Sequence, residues 1–171
     1  PFKIGSLVNL DLAIFRDGFH ADLSETFLIR DQRIKESEIS QDQNQDQLDL
    51  LKVSYDALKL AASNIKPGVF YRDLGTIIDN FVTSKGHSVT KNYCGHGTGI
   101  HFHTVPIIPH YANNKAIGIM KQGHIFTIEP MINSGLNNGG SKILSDKWTV
   151  VTRNGAKSVQ FEHTFLVTET G

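Results

Sequence analysis

From Leu7 to Phe15 the chain is rich in Val, Leu and Ile. The polar turn Arg16-Asp17-Gly18 follows, and a second strand-like run extends from Phe19 to Ile29. This pattern predicts a β-hairpin. If Arg16 pairs with Phe19 across a two-residue turn, Asp11 lies opposite Ser24 and diagonal to Asp22, and both acids share one face about 7–8 Å apart at Cα. Two like charges at that spacing repel unless a cation sits between them. From Asp31 to Gln47 the chain is polar and Gln/Asp-rich, so it reads as a solvated loop or a frayed helix start. Leu48, Leu51, Tyr55, Leu58, Ala62 and Ile65 then recur at spacings of three and four, the core-facing stripe of an amphipathic helix that Pro67-Gly68 stops. A second helix is predicted from Tyr71 to Lys85, with Leu74, Ile77, Ile78 and Phe81 facing inward and Gly86 ending it.

Beyond these helices the pattern returns to short strands. Tyr93 to His103 reads Tyr-Cys-Gly-His-Gly-Thr-Gly-Ile-His-Phe-His, three histidines among glycines that let backbone approach a ligand closely. Pro106 and Pro109 predict an extended, loop-like segment up to Tyr111. His124 to Ile132 reads as one Phe/Ile/Thr strand that includes Glu129, and Asn133 to Ser141 as a loop with nothing to bury. Trp148–Thr152 and Ala156–Thr168 flank Asn154-Gly155, a strong hairpin signal that places Glu162 mid-strand. Two strand groups around a helix pair make the expected class α+β, with the acids on a sheet face.

Composition narrows the chemistry. At 171 residues, 39% hydrophobic and 20% charged, the chain suits one domain with a sizeable core. Lys+Arg and Asp+Glu balance at 17 each, so no net field recruits nucleic acid or an anionic membrane. Cys94, the only cysteine, excludes an internal disulfide and a thiolate zinc cluster and fits a reducing compartment, so a cytoplasmic location is expected. With no base implied beside it, Cys94 is not read as a nucleophile. No apolar run approaches the roughly 20 residues of a membrane span. No dinucleotide fingerprint or phosphate-binding loop is present.

Asp11, Asp22, Glu129 and Glu162 lie inside apolar runs, where an unpaired charge costs on the order of several kcal/mol. Four acids with one imidazole suit divalent Co, Mn, Fe or Zn better than a structural zinc, which takes cysteines. Two ions about 3.5–4 Å apart, bridged by carboxylates, balance four negative charges and hold a water of lowered pKa, a nucleophile for a peptide carbonyl. His96, flanked by glycines, is the candidate ligand. His103 is the candidate hydrogen-bond donor to substrate, and His101 a solvated loop residue. His20, His87, His110, His124 and His163 stay unassigned.

Over Val8–Gly171 the chain resembles type I methionine aminopeptidases in their eukaryotic form. The resemblance rests on Val8-Asn9-Leu10-Asp11, Asp17-Gly18-Phe19-His20-Ala21-Asp22, Tyr93-Cys94-Gly95-His96-Gly97, Phe102-His103, Phe126-Thr127-Ile128-Glu129-Pro130-Met131 and Gln160-Phe161-Glu162-His163-Thr164. The short stretch from His103 to Glu129 leaves no room for the helical insertion of type II enzymes. The resemblance implies the two-fold pseudo-symmetric pita-bread α+β fold and removal of initiator methionine. It makes Asp11, Asp22, His96, Glu129 and Glu162 the metal ligands, with Asp22 and Glu162 touching both ions. His103 and Glu129 become catalytic, and Phe102, His103, Met131 and Trp148 substrate-binding. Ser158 falls where the family places a monovalent-cation ligand. The implied partners are nascent polypeptides with N-terminal Met and the ribosome that presents them.

The same resemblance implies an upstream portion that supplies a second catalytic histidine and part of the methionine pocket. The expectation is therefore that residues 1–171 form the catalytic domain of a longer enzyme, truncated at its N-terminal side, and are poorly soluble and nearly inactive alone. The rival readings are another pita-bread peptidase, an aminopeptidase P or prolidase, and a non-catalytic binding module of the same fold. Retention of all five candidate ligands argues against the last.

Overall fold

A computed structural model describes residues 2–30, 44–136 and 140–171, so most of the polar 31–47 stretch lies outside the described residues. Strands β1 (Leu7–Arg16) and β2 (Phe19–Leu28) pair antiparallel with Arg16 opposite Phe19, Asp11 opposite Ser24 and Ala13 opposite Asp22, the register expected. Asp17 and Gly18 in the turn have φ of 51° and 90°, which suits a two-residue turn closed by glycine. Helix α1 (Gln45–Ala62) and helix α2 (Tyr71–Ser84) follow. Strands β3 (Ser88–Val89), β4 (Cys94–Gly97), β5 (Thr104–Pro109), β6 (Ile125–Ile128), β7 (Met131–Asn133), β8 (Ser141–Ile143), β9 (Val150–Thr152), β10 (Ser158–Gln160) and β11 (His163–Leu166) complete the chain.

The helices pack on one face of a four-stranded sheet ordered β11-β6-β4-β5 and a three-stranded sheet ordered β10-β7-β3. Leu50, Ala57, Leu58, Ala61, Leu74, Ile78 and Val82 from the helices meet Ile108, Phe126, Ile128, Ile132 and Val159 from the strands. The stripe on α1 is turned from the expected one. Its buried positions are Gln47, Leu50, Ser54, Ala57, Leu58 and Ala61, while Tyr55 is 43% exposed with its ring edge against Phe161. Small Ser54, Ala57 and Ala61 allow close contact, and bulkier Leu51 and Tyr55 cover the margin.

Four expectations need correction. The segment containing Pro106 and Pro109 is strand β5, which lies at the edge of its sheet, where a missing proline N–H is tolerated. Asn133 ends β7 and is buried, donating to the Thr90 hydroxyl at 2.7 Å. Asn154-Gly155 does not join paired strands, because β9 pairs with β8 and β10 with β7. The glycines beside His96 serve strand packing: a Cβ at Gly95 would overlap the Thr127 carbonyl oxygen, and one at Gly97 the Val105 carbonyl oxygen.

The largest difference concerns the two glutamates. The single strands expected around them are each broken, β6 from β7 at Glu129-Pro130 and β10 from β11 at Phe161-Glu162. The pairing register runs on across both breaks, from Gln160 opposite Met131 to His163 opposite Ile128, so Glu129 and Glu162 face each other. The backbone at the breaks is satisfied elsewhere. Glu162 exchanges both backbone bonds with Ser24 of β2, at 2.9 and 3.2 Å, while Glu129 N–H donates to His110 Nε2 at 3.2 Å and its carbonyl accepts from Gln160 Nε2 at 3.1 Å. Pro130 has no N–H to offer a ladder.

Candidate metal centre

Side chains alternate across a strand, so the face opposite the helices collects every second residue. Phe126 and Ile128 point into the core, which turns Thr127 and Glu129 outward. Two rows cross that outer face. In one, Asp11 lies opposite Ser24, Ser24 bridges to Glu162, and Glu162 faces Glu129. In the other, Thr164 exchanges hydrogen bonds with the backbone of Asp22 at 2.7 and 2.9 Å, Thr164 lies opposite Thr127, and Thr127 accepts the His96 N–H at 3.1 Å. Small hydroxyl residues therefore occupy the middle of both rows, and the acids and imidazole lean over them.

The structure brings the five candidate ligands together. Asp11, Asp22 and Glu162 have donor atoms within 4.8 Å of one another, as do His96, Glu129 and Glu162, so Glu162 belongs to both sets. His96 Nε2 lies 3.4 Å from Glu129 Oε1 and 3.8 Å from Asp22 Oδ2. Asp22, His96 and His103 form a third set. His103 is exposed, its ring centroid 4.3 Å from that of His96 and 4.0 Å from that of Phe102.

Crowding shapes the charges. Burial, then the neighbouring Glu129, Asp22 and Asp11, pushes the Glu162 carboxyl up to about 9. Burial also raises Glu129 to about 7, against the lowering effect of hydrogen bonds from Thr127 and Gln160. Asp11 is raised by burial and by Asp22, and His96 is lowered mainly by burial. Buried Asp22 Oδ1 and Glu162 Oε1 have no hydrogen-bond partner. Unpartnered carboxylate oxygens, three further donors in reach and mutual repulsion among the acids fit divalent cations, whose ligands these residue types are.

Several supporting residues carried no sequence signal. His110 is fully buried, and burial lowers it to about 3, which keeps it the neutral acceptor that Glu129 N–H needs. The Thr26 hydroxyl donates to the Gln160 carbonyl at 2.6 Å and accepts from Gln160 N–H and Asn9 Nδ2, tying β2 to β10. Thr127 stands two residues before Glu129 and so on the same face of the strand, but the period does not show that its hydroxyl reaches His96 on the neighbouring strand. His20, left unassigned, has its ring against those of Phe15 and Phe102 and its Nδ1 2.9 Å from the Gly99 carbonyl.

The expected substrate residues divide. Met131 and Trp148 line one cavity of about 440 Å³ together with Tyr93, Thr90 and Ser158, with Trp148 87% exposed. Phe102 is not among its lining residues and packs instead beside His20, His96 and His103. Ser158 also lines a smaller cavity with Asn9, Thr26 and Gln160. A larger cavity, about 1030 Å³, runs along β5 and is lined by none of the five candidate ligands.

Comparison with known proteins places these features. The sequence profile of metallopeptidase family M24 matches residues 1–169. Methionine aminopeptidase 1 of Dictyostelium discoideum is 47% identical over 173 residues, covering 100% of this chain and 43% of the relative. This chain thus spans less than half the length of that relative. The crystal structure of methionine aminopeptidase from Rickettsia prowazekii superposes with a TM-score of 0.84 at 35% identity, covering 100% of this chain and 64% of the other. The prolidase from Pyrococcus horikoshii shares the fold at a TM-score of 0.70 and 23% identity, over 98% of this chain and 39% of its own.

Proposed function

Because this chain belongs to metallopeptidase family M24 and has the α+β pita-bread fold, we propose that it forms the dinuclear centre of an aminopeptidase that removes initiator methionine from nascent proteins. One observation carries the reading: five donor side chains on one face fall into two overlapping sets that share Glu162. In this reading Asp11, Asp22 and Glu162 would hold one divalent ion and His96, Glu129 and Glu162 a second, with Asp22, whose Oδ2 lies 3.8 Å from His96 Nε2, available to both. Bound there, such ions supply Lewis acidity and lower the pKa of a water to near neutrality.

The chain's own residues do the rest. His103, exposed beside His96, donates a hydrogen bond to the scissile peptide group, where a positioned donor is worth most as charge develops. Glu129, 3.4 Å from His96 Nε2 at the edge of the donor cluster, would take up the proton of the attacking water and return it to the leaving amine. Thr127 and Gln160 keep its carboxylate turned toward the site, at 2.9 and 3.3 Å. Met131 and Trp148 would form one wall of a methionine pocket, and Phe102 would meet the substrate separately, beside His96 and His103. Ser158 offers its oxygen to a monovalent cation near Asn9. Residues 1–171 would form a catalytic domain that acts on nascent chains at the ribosome in the cytoplasm. Among the described residues no helix is long and apolar enough to cross a membrane.

The prolidase reading is less well supported, since that likeness is one of fold at 23% identity, against 47% for a methionine aminopeptidase. The test is release of methionine from a Met-Ala-Ser peptide and from a Met-Pro or Xaa-Pro control, by the full-length protein, with each divalent ion in turn. Metal-dependent release from Met-Ala-Ser is expected. Cleavage confined to Xaa-Pro peptides would replace this reading with a prolidase.

A further inference from the structure

We propose that Thr127 is a positioning residue that presents His96 and Glu129 to the same ion, an inference that rests on the metal reading above. Its hydroxyl lies where the two rows of the site meet. It is fully buried, so no water competes for it. It accepts the His96 N–H at 3.1 Å from the neighbouring strand β4 and donates its single proton to Glu129 Oε1 at 2.9 Å on its own strand. A hydroxyl has one proton to give, and this one is committed to the carboxylate. The strand period puts Thr127 and Glu129 on the same face, but Glu129 sits at the break after β6, where no ladder bond to the neighbouring strand fixes it.

The consequence is a division of lone pairs. Glu129 Oε1 receives Thr127 and lies 3.4 Å from His96 Nε2, while Oε2 receives Gln160 at 3.3 Å. Each oxygen keeps a remaining lone pair, and Oε1 is the one that faces His96 Nε2. Without the Thr127 proton the Oε1 side is free to rotate away. Without its acceptor oxygen the His96 N–H is orphaned inside the sheet and β4 loses a tie to β6. One hydroxyl thus sets the angle between two donors of one ion, as partners behind metal ligands commonly do.

Three variants of the full chain, Thr127→Val, Thr127→Ser and Thr127→Cys, separate this role from simple packing. The readouts are Mn²⁺ dissociation constants by titration calorimetry and thermal midpoints of the metal-free proteins. Thr127→Val keeps the shape and removes the hydroxyl, and is expected to weaken Mn²⁺ binding about 10–100-fold. Thr127→Ser restores the hydroxyl and is expected to stay within about threefold of the parent, with Thr127→Cys, a weak donor, between them. A purely structural role predicts a lowered metal-free midpoint with unchanged Mn²⁺ affinity, and that result overturns the inference. If Thr127→Val does not fold, Mn²⁺ binding by Thr127→Cys equal to the parent's overturns it as well. A parent chain that binds no Mn²⁺ would overturn the metal reading itself, which distinguishes the two failures.

Discussion

His96 and His103 have ring centroids 4.3 Å apart but different surroundings, and those surroundings suit them to different work. His96 is half-buried, reaches two acids and belongs to two donor sets, whereas His103 is exposed and belongs to one. His103→Ala is therefore expected to keep its metal and lower kcat about 100-fold or more, the scale of losing one transition-state donor. His96→Ala is expected to lose metal affinity instead, and metal analysis beside steady-state kinetics tells the two apart. Equal behaviour of the two variants would end the division. At this scale much of the site was legible, because Asp11, Asp22, Glu129 and Glu162 stand in apolar runs where a charge has to be answered. Thr127, Gln160 and His110 were not. A hydroxyl, an amide and a neutral imidazole are ordinary in strands and loops, and their meaning comes only from which strand lies alongside.

Between residues and the whole stand the strands that carry the acids. The β1–β2 hairpin was readable to its register because Asp17-Gly18 permits one tight turn and the alternation decides the faces. The paired breaks at Glu129 and Glu162 were hidden, since apolar runs continue through both and only the backbone partners reveal the interruption. The Asn154-Gly155 signal misled for a related reason: a turn sequence reports the local bend, and β9 found its partner in β8. The helices were found with nearly correct ends but a shifted inner face, because Ser54 and Ala57 are weak hydrophobic markers and strong packing sites. One face of the hairpin carries the site, and the other exposes Leu10, Leu12, Ile14, Phe19, Leu23 and Phe27. An apolar patch of that extent favours association. We expect the chain alone to self-associate, and Leu12→Thr with Ile14→Thr to reduce this while leaving the metal-free thermal midpoint nearly unchanged, as checked by light scattering and calorimetry. Association unaffected by the pair would place the sticky surface elsewhere.

Across the whole molecule the division of labour is between two sides of the strands. The helix side supplies the core, from Leu50 and Leu74 to Phe126 and Ile132, and with it the rigidity that holds five donors in place. The opposite side gathers four carboxylates, and the burial of Glu162 with repulsion from Glu129, Asp22 and Asp11 holds a proton on Glu162 well above neutrality. Such an arrangement is costly for the chain by itself, and divalent ions offset that cost by taking the place of the protons. Asp22 and Glu162, each with an unpartnered buried oxygen, are the residues the account makes common to both ions. The most direct test is the number of Mn²⁺ ions held tightly per chain by the parent, Asp22→Asn and Glu162→Gln, measured by equilibrium dialysis with elemental analysis. The account predicts two for the parent and the loss of at least one in either variant, because a neutral amide cannot replace a shared anionic ligand. Two ions held as tightly by Glu162→Gln as by the parent would contradict it.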